Sequence, residues 1–108
     1  YSLTKILLTG LDTSNVIYMN NIFKECSRVT ELDLRSFSTA SATESCNMFA
    51  YCYNLFKIII SDKWDMSEIS EGDCMFDLCE KLPNYDSDQL GGDMAKPVED
   101  GGYLTLVK

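Results

Sequence analysis

Histidine is absent from this 108-residue sequence, and several other residue types are scarce. There are two prolines and one tryptophan, and 9 Lys and Arg stand against 17 Asp and Glu, for a formal charge of −8. The missing histidine removes the base that most often activates a cysteine or serine nucleophile. The scarcity of basic residues argues against a phosphate-backbone partner, so we predict no nucleic-acid binding.

Long apolar runs are also missing. No stretch reaches the roughly 18 apolar residues that a membrane-spanning helix needs, so we predict no direct membrane insertion. The N-terminal stretch YSLTKILLTGLDT has neither the apolar core nor the cleavage pattern of a signal peptide. Because the sequence begins with Tyr1 and not Met, we expect a processed protein or an excised fragment, which is compatible with secretion.

An internal period organises the residues that are present. Apolar residues make up 45% of the chain, enough for one folded domain. They recur at a spacing of about 26 residues, which grows by one past an inserted residue near Asp62. The matching columns are Ile6, Leu32, Ile58; Leu8, Leu34, Ile60; Leu11, Phe37, Trp64; Val16, Ala42, Ile69; Ile22, Met48, Met75; Phe23, Phe49, Phe76; Cys26, Cys52, Cys79; and Val29, Leu55, Leu82.

The period predicts the division of the chain. Residues 1–83 would form three units of about 26 residues, approximately 5–30, 31–56 and 57–83. Residues 84–108 would form a C-terminal capping segment with a final strand near 103–107, because repeat arrays cover their terminal edges. A disordered acidic tail is the alternative for this segment.

Within a unit the apolar spacing changes. Ile6 and Leu8 alternate with polar or outward residues, the period of a pleated strand. Val16, Met19 and Phe23 then follow in steps of three and four, which is typical of one face of a helix. We therefore predict units made of a strand, a loop and a short helix, stacked so that a parallel sheet and a row of helices enclose one core.

The recurring phenylalanines and cysteines are predicted to pack in that core. Each unit would contribute one ring and one thiol, and a free cysteine packs as a small hydrophobe. The predicted core ladder consists of Phe23, Phe49, Phe76, Cys26, Cys52 and Cys79.

Two further cysteines fall outside these columns. Cys46 and Cys74 would lie on neighbouring units, where a disulfide between them and two free thiols are both open alternatives. Zinc is disfavoured because the gaps from Cys46 to Cys52 and from Cys74 to Cys79 are wider than a C-x2-C knuckle. We predict no metal site.

Acidic pairs provide the remaining candidate chemistry. Asp62 with Asp65, or Glu68 with Glu71, resemble glycosidase acids or calcium ligands in composition only, because the stretch lacks the phasing of an EF-hand loop. Solvated loop charge is the commoner reading. We predict no catalytic residue, no cofactor and no enzymatic activity.

The outward positions of the predicted sheet are the candidate binding surface. Repeat arrays commonly bind through such faces, although these side chains would equally be merely solvated. Leu7 and Ile59 favour contact, since they are apolar at outward positions. The candidate residues are Lys5, Leu7, Thr9, Glu31, Asp33, Arg35, Lys57, Ile59 and Ser61.

The stretches LLTGLDTSNVIYMNNIFKECSRV and LDLRSFSTASATESCNMFAYCYNL resemble the BspA-like leucine-rich repeats of bacterial surface proteins. The resemblance covers residues 5 to 82, with Ala42 and Ser45 departing from the Val and Met columns. It implies display at the cell surface or secretion, binding to a protein or another macromolecule, and no enzymatic activity.

Together these observations predict an α/β leucine-rich-repeat solenoid of three β-loop-α units with a C-terminal cap. The predicted function is a non-catalytic, adhesion-type protein-interaction module that binds through the exposed sheet face. The alternative is a structural spacer within a longer repeat array, with no ligand of its own.

Overall fold

Four short parallel strands form one sheet. The computed structural model describes residues 5–7, 13–66, 69, 72 and 74–107. The strands are β1 (Lys5–Leu7), β2 (Glu31–Asp33), β3 (Lys57–Ile60) and β4 (Thr105–Leu106), adjacent in the order β1-β2-β3-β4. The prediction of a short parallel sheet is confirmed.

The first three strands pair without any shift in register. Lys5 lies opposite Glu31, and Glu31 lies opposite Lys57, so each paired position is one sequence period from the next. Leu32 and Ile58, which are paired in the same way, are fully buried. A slip of one residue would turn these side chains to the other face, so the buried apolar column fixes the register.

The predicted helices were wrong for the part of the chain that is described. Three turn segments (residues 20–28, 46–54 and 74–81) replace them with successive β-turns. Their backbone hydrogen bonds join residues three apart, as from the amide of Cys79 to the carbonyl of Phe76 at 3.0 Å. The helical elements among the described residues are two 3₁₀ turns, Gly92–Met94 and Val98–Asp100.

Left-handed residues explain why these segments are not helical. A continuous α-helix excludes positive φ for L-residues, at a cost of about 1–2 kcal/mol for each one. Each turn segment nevertheless contains two such residues, four positions apart. They are Asn21 and Glu25, Asn47 and Tyr51, and Cys74 and Leu78, with φ between 56 and 65°.

The amides of the turn segments donate sideways to the next segment. The amide of Phe23 donates to the carbonyl of Met48 at 2.9 Å, and that of Phe49 donates to Met75 at 2.9 Å. An α-helix would give these amides to carbonyls four residues back in its own turn. The three-and-four spacing therefore identified side chains that share an interior, but it did not identify their hydrogen-bond partners.

An aromatic column runs through the interior. The rings of Phe23 and Phe49 stack at 5.7 Å between centroids and 3° between planes, and those of Phe49 and Phe76 at 5.5 Å and 13°. Tyr103 meets Phe76 edge-on at 5.1 Å and 84°. Offset stacking and edge contacts are the favourable aromatic geometries, so the column adds specific attraction to its burial.

Two buried threonines join neighbouring segments outside the sheet. The Thr13 hydroxyl donates to the carbonyl of Ser38 at 2.9 Å and accepts from the Ser38 amide at 2.8 Å. Thr39 makes the same pair of bonds with the backbone of Asp65. Among the described residues every buried polar side-chain atom has a hydrogen-bond partner, so burying these two hydroxyl groups leaves neither without a hydrogen bond.

The C-terminal residues cover the far end of the core. β4 pairs with β3, the amide of Phe76 donates to the carbonyl of Leu90 at 2.9 Å, and Tyr103 is fully buried. Gly101 adopts φ 83°, a left-handed conformation that glycine takes without a steric penalty, where the chain turns into β4. The final strand lies within 103–107, while the boundary between units and cap stays a prediction.

The aromatic column predicts a large stability loss for Phe49→Ala. Phe49 is fully buried and has a ring on each side, so we expect the free energy of unfolding to fall by about 3–5 kcal/mol. The matched control is Phe56→Ala, whose ring is 39% exposed and which should cost less than about 1 kcal/mol. Equilibrium denaturant unfolding measures both, and equal losses would contradict the assignment of Phe49 to the core.

The turn conformation predicts a stabilising glycine. Glu25 is exposed and adopts φ 65°, so Glu25→Gly should raise the free energy of unfolding by about 0.5–1 kcal/mol. Arg28, exposed and without a positive φ, is the control, and Arg28→Gly should lower it by a similar amount. Denaturant unfolding of the two variants decides the point, since an α-helix over these residues would be weakened by both.

Candidate interaction surface

The described residues provide few of the groups that catalytic or metal sites use. They contain no group of three metal-ligating side chains, and none of their helices has the length and apolar character to cross a membrane. An open cleft of about 530 Å³ is lined by Asn15, Ile17, Ala40, Ser41 and Thr43. None of these five side chains ionises near neutral pH, so the cleft brings no acid or base together.

The sheet face is less open than the sequence predicts. Asp33 is 1% exposed and Ile59 is 7% exposed, so the prediction of outward, accessible side chains was wrong for both. Glu31, Lys57 and Ser61 are half-buried, and Arg35 is exposed. Thr9 lies outside the described residues, and Lys5 and Leu7 are described only by their places in β1.

Ile59 is buried by neighbouring strands, and Asp33 is buried by a neighbouring side chain. Ile59 lies between Asp33 of β2 and Thr105 of β4 in the sheet register, so it is flanked on both sides. The sequence period ends at β3, so it did not show that Thr105 of the predicted final strand would lie beside Ile59. Asp33 is shielded by the side chain of Arg35, which lies over it.

Arg35 and Asp33 form a two-pronged ion pair on this face. Nε of Arg35 donates to Oδ1 of Asp33 at 2.9 Å, and Nη2 donates to Oδ2 at 2.6 Å. The Arg35 amide donates to the same Oδ1 at 3.2 Å. These hydrogen bonds and the carboxylate charge raise the pKa of Arg35, so the guanidinium stays charged.

The ion pair is a feature of the candidate surface that sequence reasoning missed. Asp33 and Arg35 were treated as separate surface charges, although residues two apart on the predicted strand would lie on one face. Opposite charges at that spacing were the available signal. The arrangement leaves the Arg35 side chain 49% exposed while its orientation is fixed by a carboxylate that is 1% exposed.

The cysteines of the repeat columns are structural in their surroundings. Cys52 and Cys79 are fully buried, and their thiols donate to the carbonyls of Phe23 and Phe49 at 3.1 and 2.8 Å. The neighbouring Cys52 thiol and burial raise the pKa of Cys79 well above the ordinary value. Cys26 is half-buried, and its pKa is raised by burial and then by the Cys52 charge.

The remaining two cysteines are not joined to each other. Cys46 is half-buried and Cys74 is exposed, and no disulfide links them in the structure. Of the two alternatives that the sequence leaves open, the structure shows the one without the disulfide. Cys74 also occupies the left-handed position that Asn21 and Asn47 hold in the other turn segments.

The structure is a short parallel sheet beside stacked turns. Its described residues contain no cluster of metal ligands. The chain belongs to the family described as Mycoplasma protein of unknown function, DUF285, whose model matches residues 3–89. No curated protein and no solved structure matches the chain.

Thiol environments predict an order of chemical labelling. We expect iodoacetamide to modify Cys74 first in the folded protein, because it is exposed, and to modify Cys52 and Cys79 at least roughly 100-fold more slowly. The measurement is mass spectrometry of peptides after timed labelling at pH 8. Unfolding in denaturant should equalise the rates, and fast native labelling of Cys79 would contradict its burial.

Proposed function

We propose that this protein is a non-catalytic, adhesion-type interaction module of a bacterial cell-surface or secreted protein. It binds a protein or another macromolecule through the accessible part of its sheet face. That part is the Arg35 patch, formed by Glu31, Arg35, Lys57 and Ser61. The observation that carries the proposal is a half-exposed guanidinium held in place by a buried carboxylate.

Arg35 has the properties of a binding anchor. Arginine is enriched among the residues that dominate interface energies, and a side chain that is already ordered loses less entropy on binding. Nε and Nη2 are engaged with Asp33, whereas among the described residues Nη1 has no hydrogen-bond partner. The pair uses two of the five guanidinium N–H donors, so both on Nη1 and the second on Nη2 are available to a carboxylate or carbonyl of a partner.

The finer architecture belongs to the same proposal. A leucine-rich-repeat solenoid of the BspA-like kind, with turns in place of the predicted helices, is supported by the strand register, which repeats with the sequence period. The stacked rings of Phe23, Phe49 and Phe76 support it as well. Binding across a sheet face is a common use of such arrays.

A structural spacer is the second candidate. The burial of Asp33 and Ile59 favours it, because fewer sheet-face side chains remain accessible to a partner. In that role the units would set a distance between other parts of a longer protein, and the Arg35 patch would have no ligand.

Bead adhesion separates the two functions. Beads coated with the protein should adhere to cultured epithelial cells or to other bacteria more than albumin-coated beads do, and Arg35→Ala should reduce adhesion roughly tenfold. Arg35→Lys keeps the charge beside Asp33 but loses the planar fork, and it should reduce adhesion as well.

Arg28→Ala is the matched control, since Arg28 is also an exposed arginine but lies outside the Arg35 patch. Its beads should adhere like those of the unchanged protein. Circular dichroism establishes that each variant is folded before coating. Adhesion no greater than that of albumin beads, or full adhesion by both Arg35 variants, would contradict the interaction function and favour the spacer.

A further inference from the structure

The end of the molecule nearest β1 exposes two apolar side chains whose counterparts in the next unit are fully buried. Ile22 is 43% exposed, whereas Met48 and Met75, in the same sequence column, are fully buried. Val16 is exposed and its counterpart Ala42 is fully buried. We call the apolar surface that Val16 and Ile22 form at this end the N-terminal face.

The backbone at this end presents a row of acceptors. Glu44, Cys46, Met48 and Ala50 accept hydrogen bonds of 2.8 to 3.0 Å from the amides of the preceding segment. Their counterparts, one repeat earlier in the sequence, are the carbonyls of Tyr18, Asn20, Ile22 and Lys24. Among the described residues none of these four carbonyls accepts a backbone hydrogen bond.

Because this end presents hydrogen-bond acceptors, only a segment that presents donors can pair with its backbone. Two copies of this chain meeting face to face would oppose acceptors to acceptors along residues 18–24, which gives no backbone pairing there. The other end of a second copy is occupied, because the amide of Phe76 donates to Leu90 and β4 pairs with β3. The face therefore fits a segment that donates the amides of alternate residues and buries apolar side chains beneath them. Residues 19–25 donate to residues 44–50 in this way.

Chain connectivity then places that segment. The turn segment ending at residue 28 continues through Val29 and Thr30 directly into β2, without a linker. We propose that the N-terminal face receives one further unit of the same repeat, joined directly ahead of β1 in the same polypeptide. The unit donates its amides to the carbonyls of Tyr18, Asn20, Ile22 and Lys24. This holds whether or not the Arg35 patch binds a ligand.

The test adds such a unit to the full chain. A copy of residues 31–56 replaces residues 1–4, so that Phe56 of the copy joins Lys5 as it joins Lys57 in the chain itself. Ile22→Cys reports on the face, and its labelling by iodoacetamide should slow at least roughly tenfold when the unit is present. Peptide mass spectrometry distinguishes this thiol from the others.

The matched control attaches the same copy of residues 31–56 after Lys108, where labelling of Ile22→Cys should stay unchanged. A second measurement uses no substitution at the face: hydrogen exchange of the amides of the added Phe49 and Tyr51. Those amides should exchange at least roughly tenfold more slowly in the N-terminal fusion than in the C-terminal one. Unslowed labelling together with equal exchange, or equal effects from both fusions, would overturn the proposal.

Discussion

Hydrogen bonds from alternate amides of one turn segment to the carbonyls of the next set the spacing of the whole molecule. Four of them, from Met19, Asn21, Phe23 and Glu25, measure 2.8 to 3.0 Å. Such bonds hold neighbouring backbones at about the 4.7–4.9 Å of a sheet ladder. Rings carried at matching positions must then stack, and the phenylalanine centroids lie 5.7 and 5.5 Å apart. The same spacing brings the Cys52 and Cys79 thiols within hydrogen-bond distance of the carbonyls of the preceding segment.

The sequence was sufficient for the parallel sheet, because a regular period with alternating apolar residues leaves one register that buries them all. It was insufficient for the turn segments, because the spacing of buried side chains is the same for a helix and for successive turns. Asn21 and Asn47 were a usable sign, since asparagine tolerates the left-handed conformation, but Glu25, Tyr51 and Leu78 adopt it with no such sign. Tertiary hydrogen bonds outweigh local preference at those positions.

The candidate surface was predictable to a similar degree. Strand alternation identified which positions share the face, but the burial of Ile59 depends on β4, which lies far along the chain and outside the period. The Arg35 patch depends on the ion pair between Arg35 and Asp33. The buried carboxylate fixes the orientation of a guanidinium that stays half-exposed and can reach a partner. The two ends of the molecule also differ in kind: Tyr103 closes the aromatic column at one end, while Ile22 and its neighbours leave apolar surface at the other.

The most direct test of these hydrogen bonds is a scalar coupling measured across them by nuclear magnetic resonance. We predict a coupling between the amide nitrogen of Phe23 and the carbonyl carbon of Met48, and a second between Phe49 and Met75, because these amides donate to the neighbouring segment. Couplings from Phe23 to the carbonyl of Met19, four residues back, would show an α-helix and would contradict the ladder on which the stacked rings, the buried thiols and the exposed end all depend.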